Sequence, residues 1–92
     1  MSKLKRFDNV WDALEDDPIK AENMKLRSAL MMAIVERISA EGLNQTEAAK
    51  RLLVTQPRVN ALINGKIEEF RLDSLVNLAH LLGLHVSIEI AA

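Results

Sequence analysis

Three polar side chains on one short predicted helix have the chemistry needed to recognise a base pair. Gln56, Arg58 and Asn60 lie close together in the sequence, and Gln56 and Arg58 fall at the predicted start of the helix. An amide can donate to and accept from adenine in a bidentate pair, and a guanidinium can donate twice to guanine. Helices that enter a DNA groove place their N-terminal residues against the base edges. The spacing therefore predicts a surface that reads bases.

Two short helices joined by a tight connection must position these side chains, and capping residues mark both helix starts. Asn44 followed by Glu47 is the pattern of a capping box, in which each residue satisfies a backbone N–H of the other. Thr55 can cap the second helix, and Pro57 lies in its first turn, where a missing N–H costs nothing. We predict a helix-turn-helix over residues 44–65. The alternative is a pair of capped helices without any role in DNA binding.

Charge is distributed unevenly along the chain, although the formal net charge is only −1. Residues 43–66 contain four cationic side chains and one carboxylate, whereas the segments at both ends of the chain are acidic. A locally basic segment suits a protein that touches phosphates with one face, and ordinary solvated surface is the alternative. The side chains expected near phosphates are Gln45, Thr46, Lys50, Asn64 and Lys66.

The composition predicts one small domain, spanning residues 1–92, with an aliphatic core. Hydrophobic residues make up 49% of the 92-residue chain, but aromatic residues only 3%. The absence of cysteine excludes a disulfide framework and thiolate metal sites, and it fits the reducing cytoplasm. No long apolar run follows the basic start, so neither a signal peptide nor a membrane span is expected.

Helical periodicity extends to both sides of the helix-turn-helix. Apolar residues recur at helical spacing over 21–41 and 72–82, and over 7–17 within an N-terminal extension at 1–20. These segments predict an all-α, five-helix domain. The acidic segment around Trp11 either docks on a basic partner protein or covers the core of its own chain.

The period changes after Gly83, where apolar and polar residues alternate. Alternation predicts a half-buried C-terminal β-strand over residues 84–90. No second strand pattern is visible, and a strand needs a hydrogen-bonding neighbour. We therefore expect a homodimer in which two copies pair antiparallel. The alternatives are a dimer that forms through the N-terminal segment and a tail that lies on its own helices. The residues expected at the dimer interface are Leu84, Val86, Ile88 and Ile90.

Catalysis has little support in the sequence. His80, His85 and Glu89 would make a trio of metal ligands on paper, but His80 falls on the polar face of its helix and the other two on the polar face of the predicted strand. No nucleophile triad, phosphate-binding loop or dinucleotide fingerprint is present. We expect neither an enzyme nor a cofactor.

The run LNQTEAAKRLLVTQPRVNALINGK resembles the helix-turn-helix of the XRE family, the Cro- and phage-repressor-like regulators. Spacing and caps both agree over the whole run. The resemblance implies that the helix opening at Thr55 reads the DNA while the preceding helix contacts the backbone. The DNA-binding residues expected on this basis are Gln45, Thr46, Lys50, Thr55, Gln56, Arg58, Asn60, Ala61, Asn64 and Lys66.

Several positions depart from the XRE pattern. Leu53 stands where the family often has glycine, so either the turn takes another path or leucine adopts an unfavourable positive φ. Pro57 replaces a residue that often contacts DNA, and Ala48 replaces a common leucine. Arg71 stands where a small hydroxyl residue often caps the last helix, so a weaker cap is expected there.

The two ends of the chain resemble one branch of the XRE family, the HigA-type antitoxins. The resemblance lies in FDNVWDALEDDP and FRLDSLVNLAHLLGLHVSIEI. It implies a sequence-specific regulator that binds a double-stranded operator, represses its own operon and binds a toxin encoded beside it. The alternatives are a stand-alone XRE-type repressor, and an interaction module that neutralises a partner protein with DNA binding secondary.

Overall fold

A computed structural model describes residues 17–92 of the chain. Within this range the fold is helical, and the C-terminal residues from Gly83 onward are irregular. None of the described helices is long and apolar enough to cross a membrane. The elements are α1 (Pro18–Ala40), α2 (Gln45–Leu52), α3 (Gln56–Ile63), a short 3-10 helix (Ile67–Glu69) and α4 (Leu72–Leu81).

Helix α1 begins and ends at clear local signals. The Asp17 carboxylate accepts a hydrogen bond from the backbone N–H of Lys20 at 3.1 Å, and Pro18 occupies the first turn. The helix therefore starts at Pro18, earlier than the predicted Ala21. Gly42 follows its end with a φ of +68°, a left-handed conformation in which glycine carries no steric penalty.

The core lies between α1 and α4 on one side and the helix-turn-helix on the other. Alanines at 48 and 49 are buried, and their small side chains let α2 and α3 pack closely. Most of the described core residues are aliphatic, as the composition predicts, and Phe70 adds a fully buried aromatic ring. The largest fully buried side chains are Phe70, Ile34, Leu52, Leu62, Leu75, Leu82 and Val59.

The predicted architecture of five helices and a C-terminal β-strand is wrong. Residues 17–92 form four α-helices and the 3-10 helix, and no strand occurs among them. Residues 84–90 are irregular, with Val86, Ile88 and Ile90 exposed by 42%, 83% and 89%. An alternating pattern indicates only which side chains would lie on the same face of an extended segment. A β-strand also requires backbone hydrogen bonds to a neighbouring strand. The predicted short helix at 7–17 lies, apart from Asp17, outside the described residues.

The turn between α2 and α3 places Leu53 in the left-handed region. Its φ is 59° and its ψ 40°, while its side chain is 78% exposed. Backbone hydrogen bonds fix this conformation, since the N–H groups of Leu53 and Val54 donate to Lys50 and Ala49. Of the two paths that the sequence left open for this turn, the chain takes the one with a positive φ, which is costly for leucine.

We expect Leu53→Gly to raise the free energy of unfolding by about 0.5–1 kcal/mol. Glycine removes the strain of a Cβ atom in the left-handed region, a gain partly offset by the larger entropy of its unfolded state. Urea denaturation followed by circular dichroism measures the change. Leu53→Ala is the matched control, because it also shortens the exposed side chain but keeps Cβ. An equal gain in both variants would show that backbone strain is not the cause.

A charged cluster connects the ends of three helices. Glu41 accepts from Nε of Arg37 at 2.7 Å and from a terminal nitrogen of Arg51 at 2.9 Å. Arg51 also donates from Nε to the backbone carbonyl of Leu81 at 3.1 Å. The hydrogen bond from Arg51, followed by that from Arg37, lowers the pKa of Glu41, which desolvation opposes. The carboxylate thus joins α1 to α2, and Arg51 extends the link to α4.

This cluster should make stability dependent on acid pH. A carboxyl whose pKa is lowered in the folded state stabilises the fold fully above its unfolded pKa, which is about 4.3 for a glutamate side chain. That contribution is lost as the pH falls through the lower folded value. We expect the urea midpoint to fall between about pH 6 and about pH 3, and less steeply in Glu41→Gln, which cannot titrate. Parallel pH profiles of the two proteins would contradict this role for Glu41.

Candidate nucleic-acid interface

A complete capping box begins α2 and leaves its first residues exposed. The Glu47 N–H donates to the side-chain oxygen of Asn44 at 2.8 Å, and the Asn44 N–H donates to the Glu47 carboxylate at 2.9 Å. The capping box read from the sequence is confirmed. It fixes the helix start so that Gln45 and Thr46 lie exposed in the first turn.

The start of α3 is tied to the start of α2. The Thr55 hydroxyl accepts from the Arg58 N–H at 3.3 Å, which confirms the predicted cap, and Pro57 lies in the first turn. The Gln56 side-chain amide donates to the Thr46 hydroxyl at 3.1 Å. Both helix starts therefore present polar side chains at one continuous surface.

Three amide side chains form a stripe along the exposed side of α3. Gln56, Asn60 and Asn64 are spaced by four residues, so they lie on one side of the helix and its cap. Asn64 donates from its amide nitrogen to the Asn60 side-chain oxygen at 2.8 Å. Each amide carries both a donor and an acceptor, as recognition of an adenine edge requires. We call these three residues the amide stripe.

Ala61, predicted on the exposed side of this helix, is instead 6% exposed and belongs to the core. It lies one position beyond Asn60, and a step of about 100° turns it inward beside Leu62. The prediction that Ala61 lies on the exposed side of this helix is therefore wrong.

Arg58, predicted to read a base, is engaged within the chain. Its guanidinium lies over the ring of Phe70, 4.1 Å from the ring centroid, in a cation–π arrangement. It also donates to the backbone carbonyl of Glu69 at 2.8 Å. The side chain consequently fastens α3 to the end of the 3-10 helix.

A second arginine holds the same segment from α1. Arg27 donates to the backbone carbonyl of Phe70 at 2.9 Å and, more weakly, to that of Ile67 at 3.5 Å. Its Nε donates to Asn23 at 2.7 Å, which orients the guanidinium. The sequence pattern assigned no role to Arg27 or Phe70. One feature of the sequence could have indicated a role for Arg27. It lies between Met24 and Met31 at the helical spacing of the buried residues of α1, where a cation is unusual.

The exposed cations of this face are Lys50 on α2 and Lys66, which directly precedes the 3-10 helix. The Lys66 backbone N–H donates to the Ala61 carbonyl at 3.0 Å, and this bond closes the end of α3. Fixing the backbone there also fixes where the ammonium group can reach. Across residues 17–92, acidic and histidine side chains form no group of three that could hold a metal ion.

Comparison with known proteins assigns this arrangement to a family. Residues 13–91 match the model of a helix-turn-helix domain family. A solved structure of a protein assigned to the XRE family of transcriptional regulators is 36% identical, with a TM-score of 0.74, over 78% of this chain and 81% of that chain. The chain belongs to the XRE family of helix-turn-helix proteins. No curated protein matches it.

The structure shows the consequences of three departures from the XRE pattern. Leu53 stands where the XRE pattern predicts glycine, and it adopts the left-handed conformation that favours glycine. Pro57 has no N–H, so its backbone brings no hydrogen-bond donor to the first turn of α3. Arg71 precedes α4 without a side-chain cap, as the departure from the XRE branch predicts.

Most of the predicted DNA-binding residues are exposed. Several of them lie at the starts of α2 and α3 or along the exposed side of α3. Arg58 is half-buried and turned toward Phe70, and Ala61 lies inside. The predicted residues that are exposed are Gln45, Thr46, Lys50, Thr55, Gln56, Asn60, Asn64 and Lys66.

Proposed function

We propose that this protein is a sequence-specific, DNA-binding transcriptional regulator that inserts α3 into the major groove of a duplex operator. The observation that carries the proposal is the amide stripe on the exposed side of a helix capped at its start. The major groove presents a distinct pattern of donors and acceptors for each base pair, and amides pair bidentately with adenine. Gln56 and Asn60 are the residues that we assign to base recognition.

Phosphate contacts would set the position of α3 in the groove. The N-terminus of α2 offers unpaired backbone N–H groups beside Gln45 and Thr46, an arrangement that favours anions. Lys50 and Lys66 add positive charge, and Asn64 adds an amide at the far end of the stripe. Arg58 would act indirectly, by holding the segment that follows Lys66 through Phe70 and Glu69.

A homodimer would let two such helices enter successive major grooves, about 34 Å apart. The apolar side chains of Val86, Ile88 and Ile90 are exposed, whereas Leu84 packs partly on the core. Covering these side chains with the same segment of a second copy would bury apolar surface at a two-fold axis. We assign the operator-binding dimer to these four residues.

We expect Ile88→Asp to convert the dimer to monomers, because it would bury a carboxylate without a partner. Sedimentation velocity measures the change in mass, and Ser87→Asp is the matched control with the same added charge one position away. A dimer that survives Ile88→Asp would locate the interface elsewhere.

The finer assignment is an antitoxin that represses its own operon and neutralises a toxin encoded beside it. Its support is the resemblance of both chain ends to the HigA-type branch. A neutralising interaction module in which DNA binding is secondary is the competing assignment. The two differ in whether the amide stripe contacts bases.

Selection from a random duplex pool tests the proposal directly. We expect enrichment of one consensus, and binding of that duplex that weakens with salt as phosphate contacts release counterions. A pool that stays random after repeated rounds would overturn the DNA-reading function. A labelled duplex from upstream of the protein's own gene then tests autorepression, with a scrambled duplex as control. Equal affinity for the two would overturn autorepression alone.

Growth measurements test the antitoxin assignment. The product of the neighbouring gene should arrest growth when it is expressed alone, and co-expression of this protein should restore growth. The variant Gln56→Ala/Asn60→Ala should restore growth equally well, because neutralisation does not require base recognition. A neighbouring product that leaves growth unaffected would contradict the assignment.

A further inference from the structure

Helix α1 has an apolar surface on the side turned away from the core. A helix on the surface of a small domain usually turns charged residues outward. In α1 the outward side instead carries Leu26, Ala29, Met32 and Ala33, and Leu26 and Met32 are 48% and 61% exposed. We call these four residues the outer face of α1. Their burial by a partner would remove apolar surface from water, which is favourable.

The apolar character continues from α1 toward the end of α3. Met32 and Val35 line one wall of a groove of about 360 Å³, and Ile63 and Ile67 line the other. Ile63 is 42% exposed. A helix lying along the outer face would therefore find apolar contacts beside α1 as well as on it.

Charges bracket the outer face with opposite signs. Lys25 lies just before it and Glu36 just after it, both exposed and on the same side of the helix. They are about 16 Å apart along the helix axis, too far to pair within one chain. Among residues 17–92, the ion pairs involve other side chains.

This order of residues is complementary to itself in the reverse direction. Let two α1 helices pack antiparallel through their outer faces, with a two-fold axis at the level midway between positions 30 and 31. This register sets Lys25 of each copy against Glu36 of the other. The same register sets Ala29 of one copy beside Met32 of the other, a small side chain against a large one. Two-fold interfaces have this property, because every contact occurs twice.

We propose that the outer face of α1 is a self-association surface, occupied by α1 of a second copy of this chain in the antiparallel register. Ala29 and Ala33 are small enough to let the two helix axes approach closely. The surface is separate from Leu84, Val86, Ile88 and Ile90, so the inference goes beyond the operator-binding dimer and does not depend on it. A chain with both contacts can link dimers to one another.

The contact should be weak in free solution. One pair of crossed helices buries less than the roughly 1,200–2,000 Å² of stable protein interfaces. Copies held on neighbouring sites of one DNA duplex would associate more readily, because their effective concentration is higher. The small size of the contact is thus suited to linking copies that are already bound to the same duplex.

Charge reversal followed by mixing tests the proposal. With Lys25→Glu, a carboxylate flanks the outer face at each end. With Glu36→Lys, an ammonium group flanks it at each end. Both single variants should associate roughly tenfold more weakly than the wild type, since two like-charged pairs replace two opposite pairs. An equimolar mixture of the two variants should regain wild-type association, because each copy then faces the opposite charge. Sedimentation equilibrium of the full chains over a concentration series measures all three.

Two controls separate the proposed contact from general charge effects. Lys20→Glu and Glu68→Lys make the same changes in net charge at exposed positions off the outer face, and these variants and their mixture should associate as the wild type does. The loss and recovery should shrink at high salt, where exposed charges are screened. Single variants that associate like the wild type, or a mixture that stays as weak as its components, would overturn the proposal. Circular dichroism confirms that each variant is folded.

Discussion

Phe70→Ala is expected to lower the free energy of unfolding by about 3–5 kcal/mol, the range for removing a buried aromatic ring. Phe70 is fully buried and belongs to the same core as residues of all four α-helices. Its ring also supports the Arg58 guanidinium, so the substitution removes a cation–π contact in addition to leaving a cavity. The whole fold should therefore weaken.

Urea denaturation measures this loss, with the midpoint and slope fitted separately. Phe70→Leu is the matched control, because it retains most of the apolar volume but provides no aromatic ring for Arg58. We expect it to cost roughly 1–2 kcal/mol, well below the alanine variant. If the alanine variant lost less than about 1 kcal/mol, the core would not depend on Phe70 as its burial indicates.

Gln56→Ala/Asn60→Ala is expected to abolish discrimination between a selected duplex and a scrambled one. A good bidentate pair contributes about 1–3 kcal/mol of discrimination, so the loss of two should cost about 2–6 kcal/mol on the selected duplex. Binding to the scrambled duplex should hardly change, since phosphate contacts supply it. Both side chains are exposed, and alanine favours helix, so the fold should be retained.

Fluorescence anisotropy titrations of the selected and scrambled duplexes measure these affinities. Lys66→Ala is the contrasting variant in the same titrations. Removal of a phosphate contact should weaken both duplexes about equally and reduce the salt slope by about 1. Discrimination that survives in the double amide variant would contradict base reading by the stripe. Loss of discrimination in Lys66→Ala would assign selectivity to the loop instead.

Arg58 illustrates why a residue's type does not determine its role. An exposed arginine near the start of a groove-reading helix can donate twice to guanine, and the sequence favoured that use. In the fold its guanidinium lies over the Phe70 ring and donates to the backbone carbonyl of Glu69. Both residues lie more than ten positions later in the sequence. Nothing in the local pattern around Arg58 indicates that these partners lie beneath it.

The helix-turn-helix itself was predictable because its determinants are local. The capping box of Asn44 and Glu47 and the Thr55 cap join residues three positions apart. The positive φ of Gly65 likewise follows from the need to end α3 with a left-handed residue. Interactions of this range are present in the sequence itself, so the bounds 44–65 enclose both helices.

Only the tertiary structure decided four other features. These are the side of α1 that faces outward, the burial of Ala61, the contacts of Arg58 with Phe70 and Glu69, and the absence of a strand over residues 84–90. Each depends on which distant segments pack against an element. Periodicity in the sequence indicates which residues lie on the same face of a helix or a strand. It does not show how wide the buried face of a helix is, or whether a second strand is present to pair with the first. Ala61 is buried because it belongs to the core that residues of all four α-helices and Phe70 share. Among residues 17–92, no segment offers residues 84–90 the hydrogen bonds of a second strand.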